Sequence, residues 1–245
     1  MDFEREELSN EDTKNFKYLD DLIHSGVKEI VLDSDIVLYD DESDSLDGIK
    51  LDVDDLVICG NGHTIDVGER RIFYCTGKNI TIKNIILSGA VNFYGGAIYN
   101  EGELTITEST LNYNLATGDG GAIYNEGELT ITESTLNENR AKYYSSSGLG
   151  GAIYNNDAEC TISNSTFDGY IEGVDEAIYN NGSECTISNS TFDGEKIQRL
   201  KLFKDGRIVN DEDVGNSSLL EHRHDNFDEE YEDIQKELER LRLGK

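Results

Sequence analysis

From Gly95 onward the apolar positions fall into short runs with a period of two. Leu104 and Ile106 alternate with Thr105 and Thr107, and Leu129 and Ile131 alternate with Thr130 and Thr132. This alternation predicts strands with one face turned inward and one outward. Frequent Gly and Asn breaks and enrichment in Thr, Ile and Tyr argue against helices. The runs recur as a unit. GGAIYNEGELTITESTLN begins at Gly95 and again at Gly120, and looser copies begin at Gly150 and Asp175. One copy holds too few apolar side chains to form a core. Stacking copies about 4.8 Å apart pairs each strand with its equivalents in the neighbouring copies. Weaker copies precede these: Ile80, Ile82 and Leu87 match Leu104, Ile106 and Leu111 at an offset of 24, and Leu56 and Ile58 match Ile80 and Ile82. The stack begins near Ile30, Leu32, Ile36 and Leu38.

Stacking names the interior columns. Ile98, Ile123, Ile153 and Ile178 form one, and Ile106, Ile131, Ile162 and Ile187 a second. Cys160 and Cys185 fall where earlier copies carry Leu104 and Leu129, so they are expected as small buried hydrophobes. Asn100, Asn125, Asn155 and Asn180 recur at the first turn, where stacked amides can hydrogen-bond along the column. Tyr99, Tyr124, Tyr154 and Tyr179 are expected to pack outward.

The ends of a solenoid need caps. Phe16, Leu19 and Ile23 share one face of a predicted helix that Gly26 stops. Lys204-Asp205-Gly206 predicts a hairpin, and Asn226 with Glu229 starts a helix striped by Phe227, Tyr231, Ile234, Leu238 and Leu241. That stripe is suited to capping the solenoid or to self-association. The chain therefore divides into an acidic segment with a capping helix (1–26), a β-helix (27–197), terminal strands or a hairpin (198–210) and an acidic tail with an amphipathic helix (211–245). A coil near 24–25 residues predicts an all-β fold: a right-handed, single-stranded parallel β-helix with three sheets.

The charge narrows the partners. Asp and Glu number 51 against 21 Lys and Arg, a formal net charge of -30. Nucleic acid and anionic membrane surfaces are poor partners for such a chain. No apolar run is long enough to span a bilayer, and the polar start from Met1 to Asp12 has no secretory pattern, which is expected of a mature or excised domain or of a protein that stays inside the cell. Four scattered cysteines give neither a disulfide framework nor zinc spacing. His222 and His224 are a weak metal signal in an acidic tail. No cofactor is expected.

The unit GGAIYN…LTIT…ST(L/F), with LVICGNGHTIDV at Leu56 to Val67, resembles the repeats of pectate-lyase-like parallel β-helix proteins. It is similar to archaeal adhesin-like proteins and, more loosely, to the GGAI repeats of bacterial polymorphic outer-membrane proteins. The resemblance implies a cell-surface or extracellular, non-catalytic domain that recognises a glycan or a protein. Its catalytic relatives imply the alternative of a polysaccharide lyase or glycoside hydrolase, and a purely structural scaffold is the third reading. The lyases place carboxylate calcium ligands and an Arg or Lys base on an exterior strand face. Here that face carries Thr105, Thr107, Thr130, Thr132, Thr161, Ser163, Thr186 and Ser188. Hydroxyls supply neither an acid/base pair nor a metal cluster. His63, after Gly60-Asn61-Gly62, is expected as a turn histidine.

Two sets of residues remain as candidates. Glu103, Glu128, Glu159 and Glu184 each precede the second strand and should stack into an acidic column. Screening by water and salt, or a bridging calcium, would relieve their repulsion. The loops between the third strand and the next Gly-Gly turn vary in length, as binding loops of solenoids do. They carry Phe93 and Tyr94, then Tyr113, then Arg140, Lys142, Tyr143 and Tyr144, then Tyr170. Stacked coils are expected to gather these into one aromatic band suited to a sugar or protein surface. Sequons occur at Asn79, Asn164, Asn181, Asn189 and Asn216, as an Asn- and Thr-rich repeat readily generates.

Overall fold

The structure, a computed structural model, describes residues 13–39, 47–68, 70–143, 146–169, 177–181, 184–192 and 195–202. It is a right-handed parallel β-helix. Each full coil passes through a first strand of the type Ile98–Asn100, a second of the type Glu103–Thr107 and a third of the type Thr110–Asn112. The first face stacks six strands from Ile49–Leu51 to Ile178–Asn181. The second and third faces are joined at the last coil, where Cys185–Phe192 runs through both without a break.

The register is that of the repeat. Ile98 pairs with Ile123, Ile123 with Ile153 and Ile153 with Ile178. Ile106, Ile131, Ile162 and Ile187 form the second interior column. All but Ile178 and Ile187 are fully buried, and those two are 4% and 1% exposed. Each such side chain contributes about 1.5–3 kcal/mol. Cys160 pairs with Leu129 and with Cys185 inside this core. Burial pushes the Cys75 thiol up to about 12, so it behaves as an apolar group. The pKa of the Cys185 thiol is raised by its hydrogen bond with the free thiol of Cys160 and by burial.

The corners are polar ladders, because chain reversals inside a solenoid leave backbone groups that water cannot reach. Asn100 Nδ2 donates to Asn125 Oδ1 at 2.7 Å, Asn125 to Asn155 at 2.6 Å and Asn155 to Asn180 at 2.7 Å. Between the second and third faces, a buried serine column does the same work. The backbone N–H groups of Ser109, Ser134 and Ser165 donate to the hydroxyls of Ser134, Ser165 and Ser190, each at 3.2 Å. The hydroxyls of Ser109, Ser134, Ser165 and Ser190 turn back to donate to the carbonyls of Thr107, Thr132, Ser163 and Ser188. The residue before each serine, Glu108, Glu133, Asn164 or Asn189, has φ between 48° and 51°.

A short fourth face is the main departure from the expected three-sheet coil. Val91–Asn92, Leu115–Ala116 and Arg140–Tyr143 form a parallel ladder within what the sequence suggested were loops. Ala116 and Ala141 point inward, and a buried pair beneath, Asn114 and Asn139, is linked at 3.0 Å. Ser146–Ser147 then folds back antiparallel on Lys142 and Tyr143.

At the N-terminal end Phe16–Ile23 is helical, capped by Asn15 and buried at Phe16, Leu19 and Ile23. His24 lies 3.0 Å from Asp20 and 3.4 Å from Asp52, tying the helix end to the first face. At the other end Glu195–Leu202 pairs antiparallel along the whole of Cys185–Phe192. The turn expected at 204–206 and the helix expected from Asn226 lie outside the described residues.

Candidate recognition surface

The fourth face and the corners on either side of it hold Phe93, Tyr94, Tyr113, Arg140 and Lys142, and the structure divides them. Phe93 and Tyr94 pack edge to face, with centroids 4.5 Å apart. Tyr94 then leans onto Tyr124, 4.8 Å away. These two rings therefore join the outward tyrosine stack of the first face rather than a separate band. In that stack Tyr99, Tyr124, Tyr154 and Tyr179 follow one another at 5.1, 5.0 and 5.3 Å. Tyr124 and Tyr154 are only 8% and 6% exposed, so mutual stacking covers most of their surface. Tyr74 extends the column at 5.5 Å. Burial, then the hydrogen bond to Glu101, pushes its hydroxyl up to about 12. Burial and Glu126 raise Tyr99 in the same way.

Arg71, which the sequence reading did not single out, fastens this corner. Its Nη2 donates to Asn92 Oδ1 and to the Tyr94 carbonyl, both at 2.8 Å, and its Nε to the Gly95 carbonyl at 3.3 Å. Its guanidinium carbon lies 5.2 Å from the Tyr99 ring centroid. Burial lowers the Arg71 pKa against the opposing pull of Asp47. The only advance sign is its place as the second of the pair Arg70-Arg71, directly before the apolar Ile72 and Phe73.

Tyr113 sits elsewhere. It occupies the corner between the third and fourth faces at φ 55°, equivalent to Gly89, Glu138 and Gly169 in neighbouring coils. Its side chain is 62% exposed, the most exposed large apolar residue described. Arg140 follows two residues after Glu138, reaches back to it at 3.3 Å, and is the register partner of Leu115. Lys142 is exposed one strand step further along. Tyr113, Arg140 and Lys142 therefore share the outside of this corner and the fourth face, while Phe93 and Tyr94 lie at the far corner. Tyr143 is placed by its backbone pairing with Ser146. The Tyr143 side chain, Tyr144 and Tyr170 lie outside the described residues.

On the opposite side of the coil, between the first and second faces, the acidic column is present. Glu103 and Glu128 are register partners, and Glu159 and Glu184 continue their line. Glu101, Glu126 and Asp157 add a second file across an open groove of about 440 Å³, with Lys78 at one end. Among the described residues, no three His, Cys, Asp or Glu side chains come together in a way that could hold a metal ion. Carboxylates stacked at strand spacing repel by about 1 kcal/mol per pair even in water. Sodium chloride is thus expected to raise the melting temperature, and calcium chloride of equal ionic strength to raise it no further. A calcium-selective increment reversed by a chelator would make this column an ion site.

His63 Nδ1 lies 3.2 Å from Asp35 Oδ1, and the same oxygen accepts the Thr64 N–H at 2.9 Å. The pair anchors a turn in which Asn61 and Gly62 both have positive φ.

Residues 108–126 match the family model of the Chlamydia polymorphic membrane protein (Chlamydia_PMP) repeat. The matched stretch starts at the corner residue Glu108 and ends just past the first strand of the next coil. It contains Tyr113, the Leu115–Ala116 strand and the Gly120-Gly121 corner. Comparison with curated proteins and with solved structures returned no match.

Proposed function

We propose that this β-helix repeat protein is a non-catalytic, adhesin-like recognition domain acting at a cell surface, with its ligand held on the fourth face and the Tyr113 corner. The observation that carries this reading is the contrast between backbone and side chains on the fourth face. The backbone repeats from coil to coil, yet equivalent outward positions carry Val91, Leu115 and Arg140. Positions that serve the solenoid keep their residue type, as the Ile, Asn and Ser columns do. Val91 and Leu115 are half-buried and Arg140 is exposed, and side chains that vary on a fixed scaffold are where a partner can be served. Tyr113 supplies an exposed ring with a polar tip, and Arg140 and Lys142 supply donors within a strongly acidic molecule. Tyr143, Tyr144 and Tyr170 add further rings from the same stretches of sequence. A glycan or a surface protein suits this chemistry. The match to a polymorphic membrane protein repeat and the resemblance to archaeal adhesin-like proteins support the same reading.

The test is a glycan array and a cell-binding assay run beside a turnover assay on acidic and neutral polysaccharides. Replacing Tyr113, Arg140 and Lys142 together by Ala should weaken binding at least tenfold, the loss expected when aromatic and Arg anchors are removed. The melting temperature should stay nearly unchanged, because none of the three reaches the core. Binding that survives the triple change would remove the corner from the reading, and polysaccharide turnover would replace it with the lyase or hydrolase alternative.

A further inference from the structure

The five sequons are equivalent in sequence and unequal in the fold. Asn79 donates its amide to Asp55 Oδ1 at 2.8 Å, and Asn181 donates to Asn156 Oδ1 at 3.2 Å. Asn216 lies outside the described residues. Asn164 and Asn189 differ from these. Both are exposed, and among the described residues neither side chain has a hydrogen-bond partner. Both stand at the corner between the second and third faces with φ of 51° and 48°. The serine column explains why they are presented. Ser165 and Ser190 are drawn inward to close the corner ladder, which throws the preceding side chain outward. Thr166 and Thr191, the hydroxyl residues of the two sequons, pair in register on the outer surface of the third face. The same corner carries Glu108 and Glu133 in the two earlier coils, so no packing role requires Asn there.

We infer that Asn164 and Asn189 form a stacked N-glycosylation site at the C-terminal end of the solenoid. In the transfer, the Asn amide nitrogen forms a bond to the anomeric carbon of a lipid-pyrophosphate-linked oligosaccharide. The amide loses one proton, and the lipid pyrophosphate leaves. The attached sugar projects from a convex corner that the third face separates from Tyr113, so the recognition surface stays open. The site rests on the surface placement proposed above, because the transferase that uses such donors acts on chains crossing a membrane.

The experiment is intact mass and peptide mapping of the protein purified from its own cells, with protease treatment of whole cells read separately. The expected mass exceeds the 27.3 kDa of the chain by that of an oligosaccharide. The addition should map to Asn164, Asn189 or both. It should disappear in the Asn164→Glu, Asn189→Glu double variant, which installs the residue that earlier coils already accommodate. It should also disappear in the Thr166→Val, Thr191→Val variant, which leaves both asparagines in place, and persist in Asn79→Gln. A parent at the mass of the bare chain, or sugar mapped only to other residues, overturns the inference. Whole-cell protease cleavage of an unmodified chain would overturn the glycan and leave the surface reading standing. Protection from protease would count against the surface reading itself.

Discussion

Ile123→Asp is expected to cost about 5 kcal/mol or more, enough to unfold a domain of ordinary stability. Ile123 is fully buried between Ile98 and Ile153 in one interior column. A carboxylate there would have apolar neighbours above and below and no partner for its charge. Because each coil of a solenoid contacts only its neighbours, the damage would split the stack at its middle. The matched control is Thr130→Asp. Thr130 lies on the outward side of the second face, in register with Thr105 and Thr161, and its replacement is expected to cost less than about 1 kcal/mol. Denaturant unfolding of both variants gives the comparison. If the Thr130 variant were the less stable of the two, the inside and outside of every coil would have to be exchanged.

Gly121→Ala should destabilise by about 3 kcal/mol, at the upper end of overpacking costs. The reason is space rather than backbone freedom. A Cβ at Gly121 would stand 2.0 Å from the Gly151 carbonyl oxygen and 2.6 Å from the backbone of Arg140. Neither neighbour is the tip of a flexible side chain, so whole coils would have to separate. Gly96, its equivalent one coil earlier, meets the Gly121 carbonyl oxygen at 2.4 Å in the same way. Gly62→Ala is the contrasting case. Gly62 has φ 84° and nothing within 4 Å of its would-be Cβ. Its replacement should cost about 1 kcal/mol, the strain of a left-handed Ala alone. Equal losses at the two glycines in thermal unfolding would show that coil-to-coil contact is looser than these distances.

The contrast explains why the second Gly of each Gly-Gly pair recurs. The first Gly, as at Gly95, Gly120 and Gly150, has φ between 58° and 68°, which a reader of turns expects. The second is fixed by the coil stacked on it, which no local rule reports.

Much of the scaffold was legible because a repeat carries its own register. Equal spacing along the chain is enough to make Ile98 and Ile123, or Cys160 and Cys185, neighbours. Period-two alternation sorted inward from outward residues. The capping helix could be read from Phe16, Leu19 and Ile23 for the same reason. The serine column was missed although Ser109, Ser134, Ser165 and Ser190 recur as faithfully as the isoleucines. A serine in an exposed-looking turn reads as solvent-facing, and only the closed corner shows its hydroxyl serving a backbone that water cannot reach.

The candidate surface divided along the same line. Sequence marked the variable stretches and their aromatic residues, since composition and loss of repetition are linear properties of a chain. It could not tell Tyr94, which folds back onto Tyr124, from Tyr113, which stands clear at another corner. That distinction depends on where the fourth face begins and ends, and a two-residue strand such as Leu115–Ala116 leaves no period to detect. The sequence by itself determined the coil, its inward columns and its acidity, because these follow from spacing and residue type. Only the tertiary structure decided which outward side chains meet one another, because corner angles and coil-to-coil contacts arise once the coils are stacked.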